Sequence, residues 1–281
     1  MRILIFGGDA RQISASVELK DKGFDTYICG IDKDFLEKYG VAEFYTEYYT
    51  GFDVLVFPLP LSTDAEHVNC PFSKTKYKVT DILKRIDKNT KVFSGMPGIF
   101  FKNAAKEFKI DMFDYYECEE LQIKNSVPTA EGAIWTFMNN KDITVFESEC
   151  IVVGCGKIGK CLADRLYKLG ANVIISARSA RDLSWAECAG MKSISIEKLL
   201  SDKCFADCIF NTVPCNIFNL DFVNKMSDRT IYIELASKPY GMNEETSEYL
   251  KDRHIRAPSL PGKTAPVTAG RIIADTICKY I

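Results

Sequence analysis

The six residues Gly154-Cys155-Gly156-Lys157-Ile158-Gly159 constrain this chain more than any other stretch. The pattern G-x-G-x-x-G is common by itself, but here both flanks match it. An apolar run, Ile151-Val152-Val153, leads into the glycines. Ile158, Cys161, Leu162, Leu166 and Leu169 follow at spacings of three and four, which marks one face of an amphipathic helix. Gly170 stands where a glycine ends such a helix, and Val173-Ile174-Ile175 reads as the next strand. Each glycine has a physical task. Gly154 makes the tight turn, Gly156 lets the backbone approach a pyrophosphate, and Gly159 lets helix and strand pack closely. The helix N-terminus, at Lys157 and Ile158, then offers N–H groups and partial positive charge to the phosphates. Cys150 to Arg181 is therefore expected to form a Rossmann-type dinucleotide-binding unit.

The second strand of that unit selects the nucleotide. An NAD site usually carries Asp or Glu about 20 residues past the turn, bonded to the ribose hydroxyls. This chain has Ser176-Ala177-Arg178-Ser179-Ala180-Arg181 there, with no carboxylate. Arg178 can stack on adenine and pair with a 2′-phosphate, and Ser179 can donate to it. Arg181 either adds charge or is a solvated helix-start residue. The expected cofactor is NADP. Thr212-Val213-Pro214 and Ala236 end two later strands, and their carboxyl ends lie on the cofactor rim. Glu234, beside them, reads as a satisfied rim carboxylate before it reads as a catalytic one.

Elsewhere, short β-rich apolar runs alternate with amphipathic stretches, the signature of a parallel α/β protein. Strands are expected at Arg2–Phe6, Thr26–Cys29, Val54–Phe57, Lys91–Ser94 and near Lys109–Phe113. In the second half they are expected at Cys150–Val153, Val173–Ser176, Cys208–Asn211, Ile231–Glu234 and His254–Ala257. Helices are expected at Arg11–Lys22, Tyr77–Ile86, Phe100–Phe108 and Pro266–Tyr280. Pro128 biases Val127 to an extended conformation, so a connecting helix is read from Thr129 to about Asn139. The expected fold is α/β, with two doubly wound parallel-sheet domains. Residues 1–125 form the substrate domain, 126–145 the connector and 146–258 the Rossmann domain. Residues 259–281 form a loop and a helix packing back on the first domain.

Composition narrows the function. With 36 Lys+Arg against 38 Asp+Glu, no basic face for nucleic acid is indicated. No apolar run approaches a membrane span, and the N-terminal one is too short for a signal peptide, so a cytoplasmic protein is expected. The 11 cysteines include no CxxC pair and suggest buried thiols, with no metal site. The glycine turn Gly7-Gly8-Asp9-Ala10-Arg11 follows the first strand but is not a second dinucleotide motif. Asp9 there is a helix N-cap or a catalytic group, and Arg11 can hold a substrate carboxylate. Ser62, Thr63, Ser94, Ser126 and Thr129 lie at strand or loop ends and suit anionic groups, as do Lys263 and Thr264 if the last helix returns to the first domain. His67 and His254 have no suggestive local motif and read as surface residues.

Several of these segments, taken together, resemble the dipicolinate synthase A subunits of spore-forming bacteria. They are Gly7–Gln12, Asn125–Gly132, the Arg178-Ser179 strand end, Leu235-Ala236-Ser237-Lys238-Pro239 and Leu260–Gly270, in matching order over nearly the whole chain. The resemblance implies NADP-dependent oxidation of a cyclic dicarboxylate, from 4-hydroxy-tetrahydrodipicolinate, to dipicolinate. It also implies that the partner is a flavoprotein-like B subunit, and that the location is the mother-cell cytoplasm. If a general base is needed, Asp9 and Glu131 are the candidates. The alternatives are another NADP-dependent small-acid dehydrogenase, of shikimate or hydroxy-acid type, and an NADP-binding regulatory subunit. A homo-oligomer is compatible with all three.

Overall fold

The computed structural model describes all 281 residues. The chain divides into two compact units, Met1–Asn125 with Pro261–Ile281, and Ser126–Leu260. In the first unit the elements are β1 (Arg2–Phe6), α1 (Ala10–Asp21), β2 (Asp25–Cys29), α2 (Lys33–Lys38), β3 (Val54–Val56), α3 (Val79–Arg85), β4 (Lys91–Ser94), α4 (Gly98–Glu107) and β5 (Met112–Asp114). The helix α5 (Glu119–Asn140) follows. The strands are all parallel, in the order β2-β1-β3-β4-β5. Such a sheet is covered on both faces, which is why β1 reads as an unbroken apolar run. Ile3 and Ile5 enter the core on one face, and Leu4 and Phe6 the core on the other.

The second unit holds β6 (Glu149–Val153), α6 (Lys157–Lys168), β7 (Asn172–Ala177), α7 (Ala180–Cys188), β8 (Lys192–Ser195), α8 (Ile196–Ser201), β9 (Cys208–Asn211), α9 (Leu220–Val223), β10 (Ile231–Glu234), α10 (Glu244–Leu250) and β11 (His254–Arg256). Its parallel strands run β11-β10-β9-β6-β7-β8. In each sheet the chain first builds to one side of the opening strand and then to the other. The order therefore reverses between β1 and β3, and again between β6 and β9. Crevices outside the carboxyl ends of strands at such reversals are where ligands bind.

Two short helices close the chain order, α11 (Leu260–Thr264) and α12 (Pro266–Cys278). Helix α12 lies on α1 at near-backbone distance. A side chain at Gly270 would run into the Arg11 carbonyl, the Ser14 side chain and the Ala15 amide. Ile272, Ile273, Ala274 and Ile277 complete the same core as Ile13, Ala15 and Leu19.

Three local expectations change. The loop expected before Thr129 is helical, because α5 runs from Glu119 through Pro128 to Asn140. Proline inside a helix removes one hydrogen bond and costs about 3 kcal/mol. Burial at both ends of α5 offsets this, through Leu121 in the first core and Ala130, Ala133 and Phe137 in the second. The strand β8 was not expected, since its side chains are only half buried at a sheet edge and show no apolar run. The loop expected after Pro258 folds instead as α11. No helix is long and apolar enough to cross a membrane.

Candidate functional site

The glycine turn of the second unit lies at its sheet reversal. Gly154 ends β6 with φ +98°, a left-handed conformation that glycine alone adopts freely, and a side chain there would collide with Thr212 and Val213. Thr212 Oγ1 donates to the Val153 carbonyl at 2.8 Å, so the turn after β9 is fixed against the turn after β6. A side chain at Gly159 would strike the Gly154 carbonyl, which sets how closely α6 approaches β6. Gly156 differs from both. It is the N-cap of α6 and no side chain caps it, and the space where its Cβ would stand is open. An uncapped helix N-terminus facing open space at a sheet reversal fits a bound pyrophosphate.

Gly159→Ala puts a methyl group against backbone that cannot rotate away. Overpacking of this kind costs about 1–3 kcal/mol. The variant is expected to melt lower than the parent and to bind nucleotide at least roughly tenfold more weakly, since α6 must part from the turn. Thermal melts with isothermal titration calorimetry check this. A parental melt with parental affinity would contradict the assignment of Gly159.

At the second strand end, Arg178 is exposed and makes no hydrogen bond or ion pair. Ser179 is the N-cap residue of α7, yet its side chain caps nothing. Arg181 is also exposed, with Asp182 at 3.8 Å. At the far side of the rim, Asn211 is fully buried. Its amide nitrogen donates to Glu234 Oε1 at 2.8 Å and its carbonyl accepts from the Val213 amide at 3.1 Å. Glu234 is 2% exposed. Its Oε1 also accepts from the Ala236 amide, and its Oε2 accepts from the Tyr232 hydroxyl and the Gly241 amide. Burial pushes the Glu234 pKa up while these donors pull it back. Cys155, inside the glycine turn, is a thiol pushed upward by burial, which disfavours the nucleophilic thiolate.

In the first unit the polar groups gather at the reversal between β1 and β3. Gly7 and Gly8 turn the chain with φ +67° and +89°. Asp9 is the N-cap of α1 and accepts from the Arg11 amide at 3.0 Å. Arg11, only 5% exposed, returns its Nε and Nη2 to the same carboxylate and donates Nη2 to the Leu59 carbonyl at 2.6 Å. Both Asp9 oxygens are thereby engaged, while Arg11 keeps Nη1 without a partner. Gly262 of α11 packs against this pair, where a side chain would meet Asp9 Oδ2 and Arg11 Nε. That places exposed Lys263, and Thr264 beyond it, one and two residues away. Ser94 ends β4 with a fully buried hydroxyl that has no partner. Ser62 donates to Asp64 at 3.1 Å, with Thr63 exposed between them.

The remaining expected residues belong to the second unit. Ser126 and Thr129 are buried on α5 in the second unit. Glu131 is the second of the two general-base candidates. It is exposed on α5, 3.5 Å from Arg165, and joins Trp135 and Leu169 along the α5–α6 groove. Arg165 follows Gly159 by six residues, more than one helical turn, so Glu131 flanks α6 beyond its first turn. One pair escaped the sequence reading. His67 Nδ1 lies 2.8 Å from Asp64 Oδ2, in the loop after β3, and the Asp64 carboxyl is held well below its usual range by the His67 and Glu66 amides. The D-x-x-H spacing was its only signal. No three His, Cys, Asp or Glu side chains assemble into a metal-binding group.

Residues 2–116 match the family model of the N-terminal domain of the dipicolinate synthase A subunit. Residues 122–260 match that of the D-isomer specific 2-hydroxyacid dehydrogenase NAD binding domain. Over its full length the chain is 29% identical to the dipicolinate synthase A subunit of Bacillus subtilis strain 168, covering 100% of this chain and 96% of the relative. The crystal structure of that protein superposes with a TM-score of 0.83 at 29% identity, over 100% of this chain and 95% of the other. The corresponding A subunit of dipicolinate synthase from Bacillus halodurans gives 0.87 at 28% identity, over 99% and 97%. A transhydrogenase from Sinorhizobium meliloti shares the fold, with a TM-score of 0.69 at 13% identity over 99% and 92%.

Proposed function

We propose that this chain, a full-length homologue of the dipicolinate synthase A subunits with a dehydrogenase-type NAD-binding domain, oxidises a dihydrodipicolinate-type cyclic dicarboxylate to dipicolinate with NADP. The similarity over all of this chain and 96% of the Bacillus subtilis protein carries the reading. NADP bound at the glycine turn would accept the hydride leaving a ring carbon. Gly154, Gly156, Lys157, Ile158 and Gly159 would hold the pyrophosphate, with Thr212, Val213, Pro214 and Ala236 on the nicotinamide side. Arg178 and Ser179, with Arg181 beside them, leave an uncommitted cation and hydroxyl for a 2′-phosphate. They support NADP over NAD.

In the first unit, Arg11 is held flat by Asp9 and by the Leu59 carbonyl, and its Nη1 would donate to one substrate carboxylate. Lys263 and Thr264 would take the other, with Ser62, Thr63 and Ser94 nearby. Loss of a hydride and a proton makes the ring aromatic. That product stability lowers the demand on a strong base, which suits Asp9 as the group that holds Arg11. The substrate would arise from 4-hydroxy-tetrahydrodipicolinate by loss of water. A B subunit would be the partner, in the cytoplasm of the mother cell. One observation favours a second reading. The His67–Asp64 pair is the acid–base arrangement a hydroxy-acid dehydrogenase uses.

The test follows NADPH at 340 nm with the purified chain, NADP and freshly made hydroxy-tetrahydrodipicolinate, with and without the B subunit. Turnover in either arm supports the proposal, and turnover only with the B subunit makes this chain the cofactor-binding half. Tight NADP binding with no turnover in either arm overturns it and leaves the small-acid and regulatory readings.

A further inference from the structure

We propose that Glu234 is a positioning residue that shapes the nicotinamide half of the cofactor site, an assignment that rests on the dinucleotide reading above. Four donors converge on its two oxygens. Asn211 Nδ2 and the Ala236 amide reach Oε1 at 2.8 and 3.1 Å, and the Tyr232 hydroxyl and Gly241 amide reach Oε2 at 3.1 and 2.7 Å. None of the four partners is a cation. The group is thus held in place by four hydrogen bonds from uncharged donors, the arrangement that makes a carboxyl group a geometric template.

What it templates is specific. Through Asn211, whose carbonyl accepts from Val213, it fixes the turn after β9. Through Ala236 and Gly241 it closes the loop after β10 into a ring. Gly241 sits so tightly on Asn211 and Tyr232 that no side chain fits there. These two segments end β9 and β10, which lie on the opposite side of β6 from β7, where the adenosine-side residues Arg178 and Ser179 stand. Glu234 therefore governs one half of the cofactor rim and leaves the other untouched.

The amide of Glu234→Gln has nearly the same shape but turns one acceptor into a donor. It then faces either the Gly241 and Tyr232 donors or the Asn211 and Ala236 donors, and a backbone N–H cannot reverse its role. The experiment titrates parent and Glu234→Gln proteins with NADP and with 2′,5′-ADP, which carries only the adenosine half, alongside thermal melts. We expect roughly tenfold or greater loss of affinity for NADP, from one buried group left unpaired, and less than about twofold for 2′,5′-ADP. Equal loss for both ligands would reduce Glu234 to a general structural role and overturn the proposal, as would unchanged affinity for both. Glu234→Asp keeps the acceptors at shorter reach and should recover part of the NADP affinity. A parent protein that binds neither ligand would overturn the nucleotide reading itself, and this proposal with it.

Discussion

Replacing Arg178 with alanine is expected to collapse the preference for NADP over NAD that the proposed 2′-phosphate site implies. The guanidinium is exposed just past the end of β7, with no close ion pair to break first. Its loss should therefore appear in ligand binding and not in the melt. A charge-assisted hydrogen bond contributes about 1.5–3 kcal/mol, which corresponds to roughly 10- to 150-fold in affinity. NAD lacks the 2′-phosphate and should change little, since only stacking on adenine is removed. The ratio of the two dissociation constants, measured by calorimetry at fixed ionic strength, isolates the phosphate contact. An unchanged ratio would move phosphate recognition away from Arg178.

Arg11→Met is expected to have the largest effect on stability. The methionine fills most of the volume but abandons Asp9 and the Leu59 carbonyl. Removing one member of a buried pair costs about 3–5 kcal/mol, because the remaining charge has no partner. The lower part of that range applies here, since the Asp9 side chain retains 22% exposure and water can reach it. Adding Asp9→Asn to the same chain removes the stranded charge and should restore much of the loss. The two single variants and the double form a thermodynamic cycle read by denaturant unfolding. NADP binding should survive in Arg11→Met, because the glycine turn belongs to the other unit. A parental unfolding midpoint for Arg11→Met would show that the pair contributes nothing.

The features legible in the sequence were those set by neighbours in the chain. The bounds of β1, β4, β9 and β10 could be read because each is a short apolar run closed by a glycine, a polar cluster or a proline. The glycine turn was legible because strand, turn and helix are contiguous. What escaped depends on distant partners. Nothing local says that Leu121 and Phe137 anchor the two ends of α5, so Pro128 looked like a boundary. Nothing local gives the angular phase of Glu131, which places it beside Arg165. The Asp9–Arg11 contact is local and its cap was anticipated, but the Leu59 carbonyl that completes it comes from the loop after β3. Edge strand β8 lacked the apolar run that marks a buried one.

The return of α12 to α1 has a consequence for biosynthesis. Residues 126–260 form a contiguous unit whose core is available once that stretch has left the ribosome. The first unit begins earlier but lacks Ile272, Ile273, Ala274 and Ile277 until α12 has been made. Synthesis proceeds at about 5–20 residues per second, so its opening segment waits with one face of α1 uncovered. The part made first is thus the part completed last, and a nascent chain truncated before Pro266 would carry a closed nucleotide domain joined to an unfinished partner.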